Sequence, residues 1–137
     1  MSVHGGALSV RQDRVVVPLT WDAATERYRG QTSIDVIDAR GTLSGWTLKT
    51  AVDDPNRHGS HVWLRPSKPV VVDGDPSGLV AGEATQVRGN QLVTLGSATA
   101  GDGGGSYRVP VDIEVSAPHG PGSSSVAVTL LPQVFGA

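Results

Sequence analysis

Cysteine is absent from this chain. A disulfide framework and any thiolate metal site are thereby excluded, and a domain of 137 residues must hold together by packing, which its size allows. Charge is sparse and balanced. Charged residues make up 18%, with 11 Lys and Arg against 13 Asp and Glu, below the ~25% usual in globular chains. No stretch concentrates one sign, so neither a nucleic-acid partner nor a polybasic membrane contact is expected. No apolar run approaches the ~20 residues that cross a bilayer as a helix, and no membrane insertion is expected. Three Trp, two Tyr and one Phe supply all the aromatic residues, and there is a single Met. The core is therefore expected to be lean and β-branched. The opening MSVHGGALSV has no basic segment leading into an apolar core and does not read as a signal peptide. Either the chain is cytoplasmic, or a leader has been removed and Met1 comes from expression.

What is abundant is turn chemistry. Eighteen Gly and nine Pro fall between short apolar runs, as a domain of many short strands requires. No window repeats apolar residues at three- and four-residue spacing for three turns. Trp21–Tyr28 is the best helical candidate and is too short for more than one turn. Little or no helix is expected.

Strand patterns run through the chain. Leu8–Val10 and Val15–Leu19 read as two early strands, or as one interrupted by polar residues. Over Thr32–Asp38, Ile34 and Val36 share one face. Gly41 and Gly45 bracket a turn, after which Trp46, Leu48, Thr50 and Val52 line one face. These two segments are expected to form a β-hairpin. Short strands follow at His61–Leu64, Val70–Val72 and Leu92–Leu95. The cleanest alternation comes late, with Tyr107, Val109, Val111, Ile113 and Val115 on one face and Arg108, Pro110, Asp112, Glu114 and Ser116 on the other. Such a pattern marks a half-buried antiparallel strand, and Pro110 within it predicts an edge or a bulge. Val126–Leu131 closes the series. The expected fold is all-β, an antiparallel two-sheet β-sandwich of Ig-like, Greek-key type, with a β-barrel as the runner-up. Residues 7–132 are expected to form this single domain. Residues 1–6 are expected to be disordered or expression-derived, and 133–137 a C-terminal tail.

Candidate metal sites are thin. His58 and His61 form the only closely spaced histidine pair, with Asp53 or Asp54 as a third donor, whereas a zinc site needs more ligands than two. Asp73, Asp75 and Ser77 begin like a calcium loop with Gly78 sixth, but the twelfth position is Ala84, one residue past Glu83. A turn is the simpler reading, no cofactor is expected, and calcium is the one ion worth testing. The glycine-rich Gly101–Gly105 lacks the Lys-Ser/Thr ending and the following helix of a phosphate loop. No nucleophile elbow is present, and the paired acids Asp53 and Asp54 sit in a polar loop, so no enzyme is expected. Trp21 and Trp63, with Tyr28, are candidates for a platform that stacks sugar rings.

Ile34 to Thr42 (IDVIDARGT) followed by Gly45-Trp46-Thr47-Leu48 resembles the first block of the WxL domains, and Gly103–Tyr107 leading into two closing strands is similar to their C-terminal pattern. The likeness spans Leu8 to Leu131 and is that of a divergent, actinobacterial-like member. Only one W-x-L motif is present, where the family pattern has two. The resemblance implies a secreted β-domain on the bacterial surface, attached non-covalently to a cell-wall polymer such as peptidoglycan or displaying a surface-protein partner. It makes Trp46, Leu48 and Arg40 candidate binding residues beside Trp21 and Trp63. On the residues alone, Trp46 aligns with Leu48 and Val52 as core, and Arg40 can bridge back to Asp38 or Asp35. A second expectation is a self-assembling structural subunit, such as a fibre, sheath or decoration protein. It would be a homo-oligomer, expressed in the cytoplasm.

Overall fold

The computed structural model describes residues 8–40, 45–53, 61–74, 78–88, 91–99, 104–116 and 126–136 (of Val126, the backbone alone). Among the described residues are eleven strands: β1 (Leu8–Val10), β2 (Val15–Asp22), β3 (Arg27–Asp38), β4 (Trp46–Val52), β5 (Val62–Pro66), β6 (Val70–Gly74), β7 (Leu79–Ala81), β8 (Thr85–Gln86), β9 (Val93–Ala98), β10 (Gly105–Ser116) and β11 (Val126–Gly136). No described residue is helical. All pairings are antiparallel and follow one path, β7-β9-β4-β11-β2-β3-β10-β5-β8, with β1 added to β3 and β6 to β10. The all-β, antiparallel expectation is met. The strands form one antiparallel sheet curled into a half-barrel.

β2 makes the curl. Its first half pairs with β11, from Leu19↔Val126 to Val15↔Leu130, and its last three residues pair with β3, Thr20↔Arg29 to Asp22↔Arg27. The strand thus belongs to a first flank (β3, β10, β5, β6, β8, β1) and to a second (β11, β4, β9, β7). Where β2 leaves β3 it passes directly over Gly30. A Cβ there would lie 2.5 Å from Leu19 Cδ2 and 2.9 Å from the Pro18 carbonyl oxygen, so only glycine lets the two backbones come this close.

The concave side holds the core. Alternation turns Tyr107, Val109, Val111, Ile113 and Val115 inward from β10, each at most 5% exposed, opposite Trp46, Leu48, Val52, Leu95 and Leu130 from the second flank. Trp46 meets Tyr107 across the concavity, ring centroids 5.6 Å apart.

Four local expectations change. Thr32–Asp38 and Trp46–Val52 do not form a hairpin: β3 pairs with β10, β1 and β2, and β4 with β11 and β9. Each strand carries a largely apolar face, Ile34 and Val36 on β3 and Trp46, Leu48 and Val52 on β4, and those faces are buried by standing across the core from each other, not side by side. Residues 39–45 therefore carry the chain from one flank to the other. Pro110 lies on the central strand β10, not at an edge. Its carbonyl accepts from Ser67 N at 2.9 Å, so its missing N–H faces the interruption between β5 and β6, where no ladder donor is needed. Finally, the expected tail from residue 133 is strand. Gln133–Gly136 pair with Lys49–Trp46. The Trp21–Tyr28 segment closes the β2–β3 hairpin instead of forming a helical turn, with Asp22 Oδ1 accepting from Ala24 N at 3.0 Å.

Candidate functional site

Polar chemistry concentrates on the convex face of the first flank. Residues opposed in an antiparallel register share a face, so one row crosses it as Gln86, Trp63, Glu114, Arg29 and Thr20. The row beside it holds Arg65, Asp112 and Gln31, and Arg27 stands opposite Ser116 at the end. Glu114 is the hub. Its carboxylate lies 3.0 Å from Arg27 Nη1, 3.2 Å from Arg65 Nε and 3.6 Å from Arg29 Nη2. Arg29 Nη1 also lies 3.4 Å from Asp22 Oδ2. The three guanidiniums roof the acid, which explains a carboxylate side chain only 10% exposed on an outward face.

Three cations on one buried carboxylate leave an outward excess of donors. Each guanidinium has five N–H groups in a planar fork, and the three arginine side chains remain 39–45% exposed. Arg65 also lies over the Trp63 ring, 5.8 Å from its centroid. Beside the cluster runs an open groove of about 580 Å³ lined by Trp21, Asp22, Arg29, Gly30, Gln31 and Asp112, among others. A planar fork array beside an aromatic ring suits a ligand that alternates anionic groups with apolar ring faces.

The proposed site residues separate. Trp46 is 1% exposed and Leu48 is fully buried, so neither offers a surface to a ligand. As binding residues they are corrected to core. Their alignment with Val52 carried that signal. Trp21 and Trp63 do not share a platform. Trp21 stands opposite Tyr28, in register with buried Val115 and Val62, whereas Trp63 belongs to the Glu114 row on the other side of the sheet. Trp21 instead makes an edge contact with Tyr28, centroids 5.2 Å apart and planes 70° apart. Arg40 is a structural clamp. Its Nε and Nη2 donate to the two Asp38 oxygens at 2.9 and 3.0 Å, its own N–H donates to Oδ1 at 3.1 Å, and Nη2 also donates to Gly45 O at 2.7 Å. Asp38, 3% exposed, is held below its ordinary carboxylate range chiefly by the Arg40 side chain and then by the Arg40 N–H, against an opposing effect of burial. Gly45 at φ 84° then turns the chain into β4.

Of the metal candidates, Asp54, His58, Asp75 and Ser77 lie outside the described residues. Asp73 pairs with Ser106 on β6, and Glu83 lies in the link between β7 and β8. His61 Nδ1 is 3.0 Å from Gln86 Nε2. Among the described residues no three His, Asp or Glu converge as a metal site. The arginine cluster was missed from sequence because Arg27, Arg29 and Arg65 are unremarkable one at a time. Only the β3–β10–β5 register gathers them.

Comparison of the chain with protein-family models, with curated proteins and with solved structures returns no match.

Proposed function

We propose that this chain is a non-enzymatic binding module of the bacterial cell surface, WxL-like, which attaches non-covalently to an anionic cell-wall polymer such as peptidoglycan. One observation carries the reading: the Arg27, Arg29 and Arg65 guanidiniums gathered around Glu114 beside Trp63. Carboxylates or phosphates along a polymer take the forks, and sugar rings stack on the aromatic. The IDVIDARGT and GWTL segments support the family reading and a secreted location. A sandwich of Ig-like, Greek-key type is the finer form proposed for the curled sheet, supported by the Trp46–Tyr107 contact between its flanks.

The test is retention on purified peptidoglycan against an unrelated β-domain. The chain is expected to be retained, less so as salt rises, and Arg65→Ala with Trp63→Ala is expected to reduce retention about tenfold while the fold persists. Retention no better than the control ends the proposal.

One observation favours a second reading, a self-assembling structural subunit of fibre or sheath type expressed in the cytoplasm. β6 pairs with β10 alone among the described residues, and its Val70 and Val72 are 54% and 58% exposed. Strand addition at such an edge is the assembly physics.

A further inference from the structure

A second cluster of arginines on a carboxylate stands at the other end of the first flank's convex face. Arg108 Nε lies 3.1 Å and Arg11 Nη1 3.8 Å from the Asp35 carboxylate. The β10–β3 register sets Arg108 beside Asp35. Arg11 continues the β1–β3 ladder by donating its N–H to Asp35 O at 2.9 Å. The Arg108 and Arg11 side chains are 53% and 72% exposed.

A furrow joins the two clusters along β3. The groove beside Arg29 shares Gln31 and Asp112 with a second depression of about 340 Å³. That one shares Ser33 with a third, of about 160 Å³, which reaches Asp35 and Arg11. Arg29, Gln31, Ser33 and Asp35 are alternate residues of one strand and face the same way, and Arg29 and Asp35 stand ~20 Å apart along it.

Charge alternates along this line. The first cluster sets the guanidiniums of Arg27, Arg29 and Arg65 against the carboxylates of Glu114 and Asp22. The second sets Arg108 and Arg11 against Asp35. Each end thus keeps one positive charge in surplus. Between them stands half-buried Asp112, which makes no hydrogen bond or ion pair with any described residue. Its neighbours in the furrow are uncharged: Gln31, Ser33 and Ser67. Asp13 and Arg14 between β1 and β2, Lys68 between β5 and β6, Asp73 on β6 and Arg88 past β8 line none of the three depressions.

A uniformly charged polyanion would be repelled at Asp112, and a neutral chain would leave both surpluses unused. A chain whose anionic groups are set apart by rings rich in hydroxyls suits all three positions. Guanidinium forks take carboxylates, and an ionised Asp accepts from several hydroxyls at once. We propose that the bound polymer is an extended glycan strand whose carboxylates sit on the two arginine clusters, while the hydroxyls of the sugar rings between them donate to Asp112. Resting on the polymer-binding reading, this arrangement fixes the course of the strand and the least length that fills it. A piece that reaches one cluster gains nothing from the other, whereas for a piece that spans both the second contact is intramolecular.

The experiment is calorimetric titration of the full chain with peptidoglycan glycan strands stripped of their stem peptides, in pieces of increasing numbers of disaccharide repeats. Such strands carry one carboxylate per disaccharide, and a single disaccharide is shorter than the furrow. Affinity is expected to rise at least about tenfold once the piece spans both clusters, and then to level off. Arg11→Ala with Arg108→Ala, both at exposed positions and checked for fold by circular dichroism, is expected to abolish that rise while short pieces bind as to the parent. Asp112→Asn is expected to weaken binding of the long pieces several-fold. A carboxylate that only repelled the strand would give tighter binding on this change. Affinity independent of length, a parent-like rise in the double arginine variant, or tighter binding by Asp112→Asn would each overturn the proposal. If the parent is retained on whole peptidoglycan, any of these results ends only the course along β3. If it is not retained, the polymer-binding reading fails with it.

Discussion

Replacing Arg40 by methionine is expected to loosen the connection on which the relation between the two flanks depends. The Asp38 side chain is 1% exposed and that of Arg40 21%. Three of the four donations that Arg40 makes at this corner come from the guanidinium, and only its backbone N–H survives the substitution. Breaking a buried pair while leaving its charge behind costs about 3–5 kcal/mol. Arg40 is partly wetted, so the lower end applies, about 3 kcal/mol. For a chain of this size that corresponds to a fall in melting temperature of roughly 10 °C. The pH dependence separates this cause from mere loss of packing. In the parent, the folded Asp38 carboxyl titrates below its unfolded value of about 3.9. Its contribution is therefore complete above that pH and is lost as pH falls through the folded value. In the variant, burial without the guanidinium pushes the carboxyl up, so acid relieves the penalty. The two stability curves should stand furthest apart near neutrality and converge toward acid. Urea melts of both chains from neutral pH down to about pH 3 make the measurement, in the range where carboxylates titrate. A gap under about 1 kcal/mol at neutrality, or one that stays constant with pH, would refute the reasoning. Replacing the pair together by Asp38→Leu and Arg40→Met should recover most of the loss, because an apolar pair strands no charge.

Trp46→Ala removes the largest fully buried side chain and should cost about 3–5 kcal/mol in urea unfolding. The folded fraction should still bind peptidoglycan, so lost affinity at full folding would put the ring back in the binding face. Gly30→Ala places a methyl 2.5 Å from Leu19 Cδ2 and should lower stability by about 1–3 kcal/mol. An unchanged melting temperature would mean that β2 can lift away from β3 freely.

The strands legible from sequence were those with one wholly or largely apolar face. Tyr107 to Val115 alternated without exception, and β4 showed Trp46, Leu48 and Val52 on one face, with Thr50 the one polar residue among them. Arg27–Gln31 was not legible, although it is the first half of β3. Its outward residues are the charged Arg27 and Arg29, and its inward ones include Gly30, which resembles a breaker and is required by the crossing of β2. β7 and β8 are three and two residues long, too short for periodicity to register. The hairpin expected at residues 39–45 failed for a different reason. Turn residues mark where a chain reverses, not whether it returns beside itself or across a core. Buried Asp38, bound to Arg40 and through it to Gly45, distinguishes the two outcomes, and that pairing is a tertiary fact. The candidate site was less legible than the fold, because it is assembled from single residues on three strands far apart in sequence.

The place of β11 has a consequence for how the chain reaches its native state. β11 is an inner strand of the second flank, with β2 on one side and β4 on the other. Until it is present, β4 and β9 have no hydrogen-bonded link to β2, and the concave apolar side chains of both flanks stay wet. The closing contacts join residues more than a hundred positions apart, such as Val17 and Val128, and such non-local pairing makes folding slow.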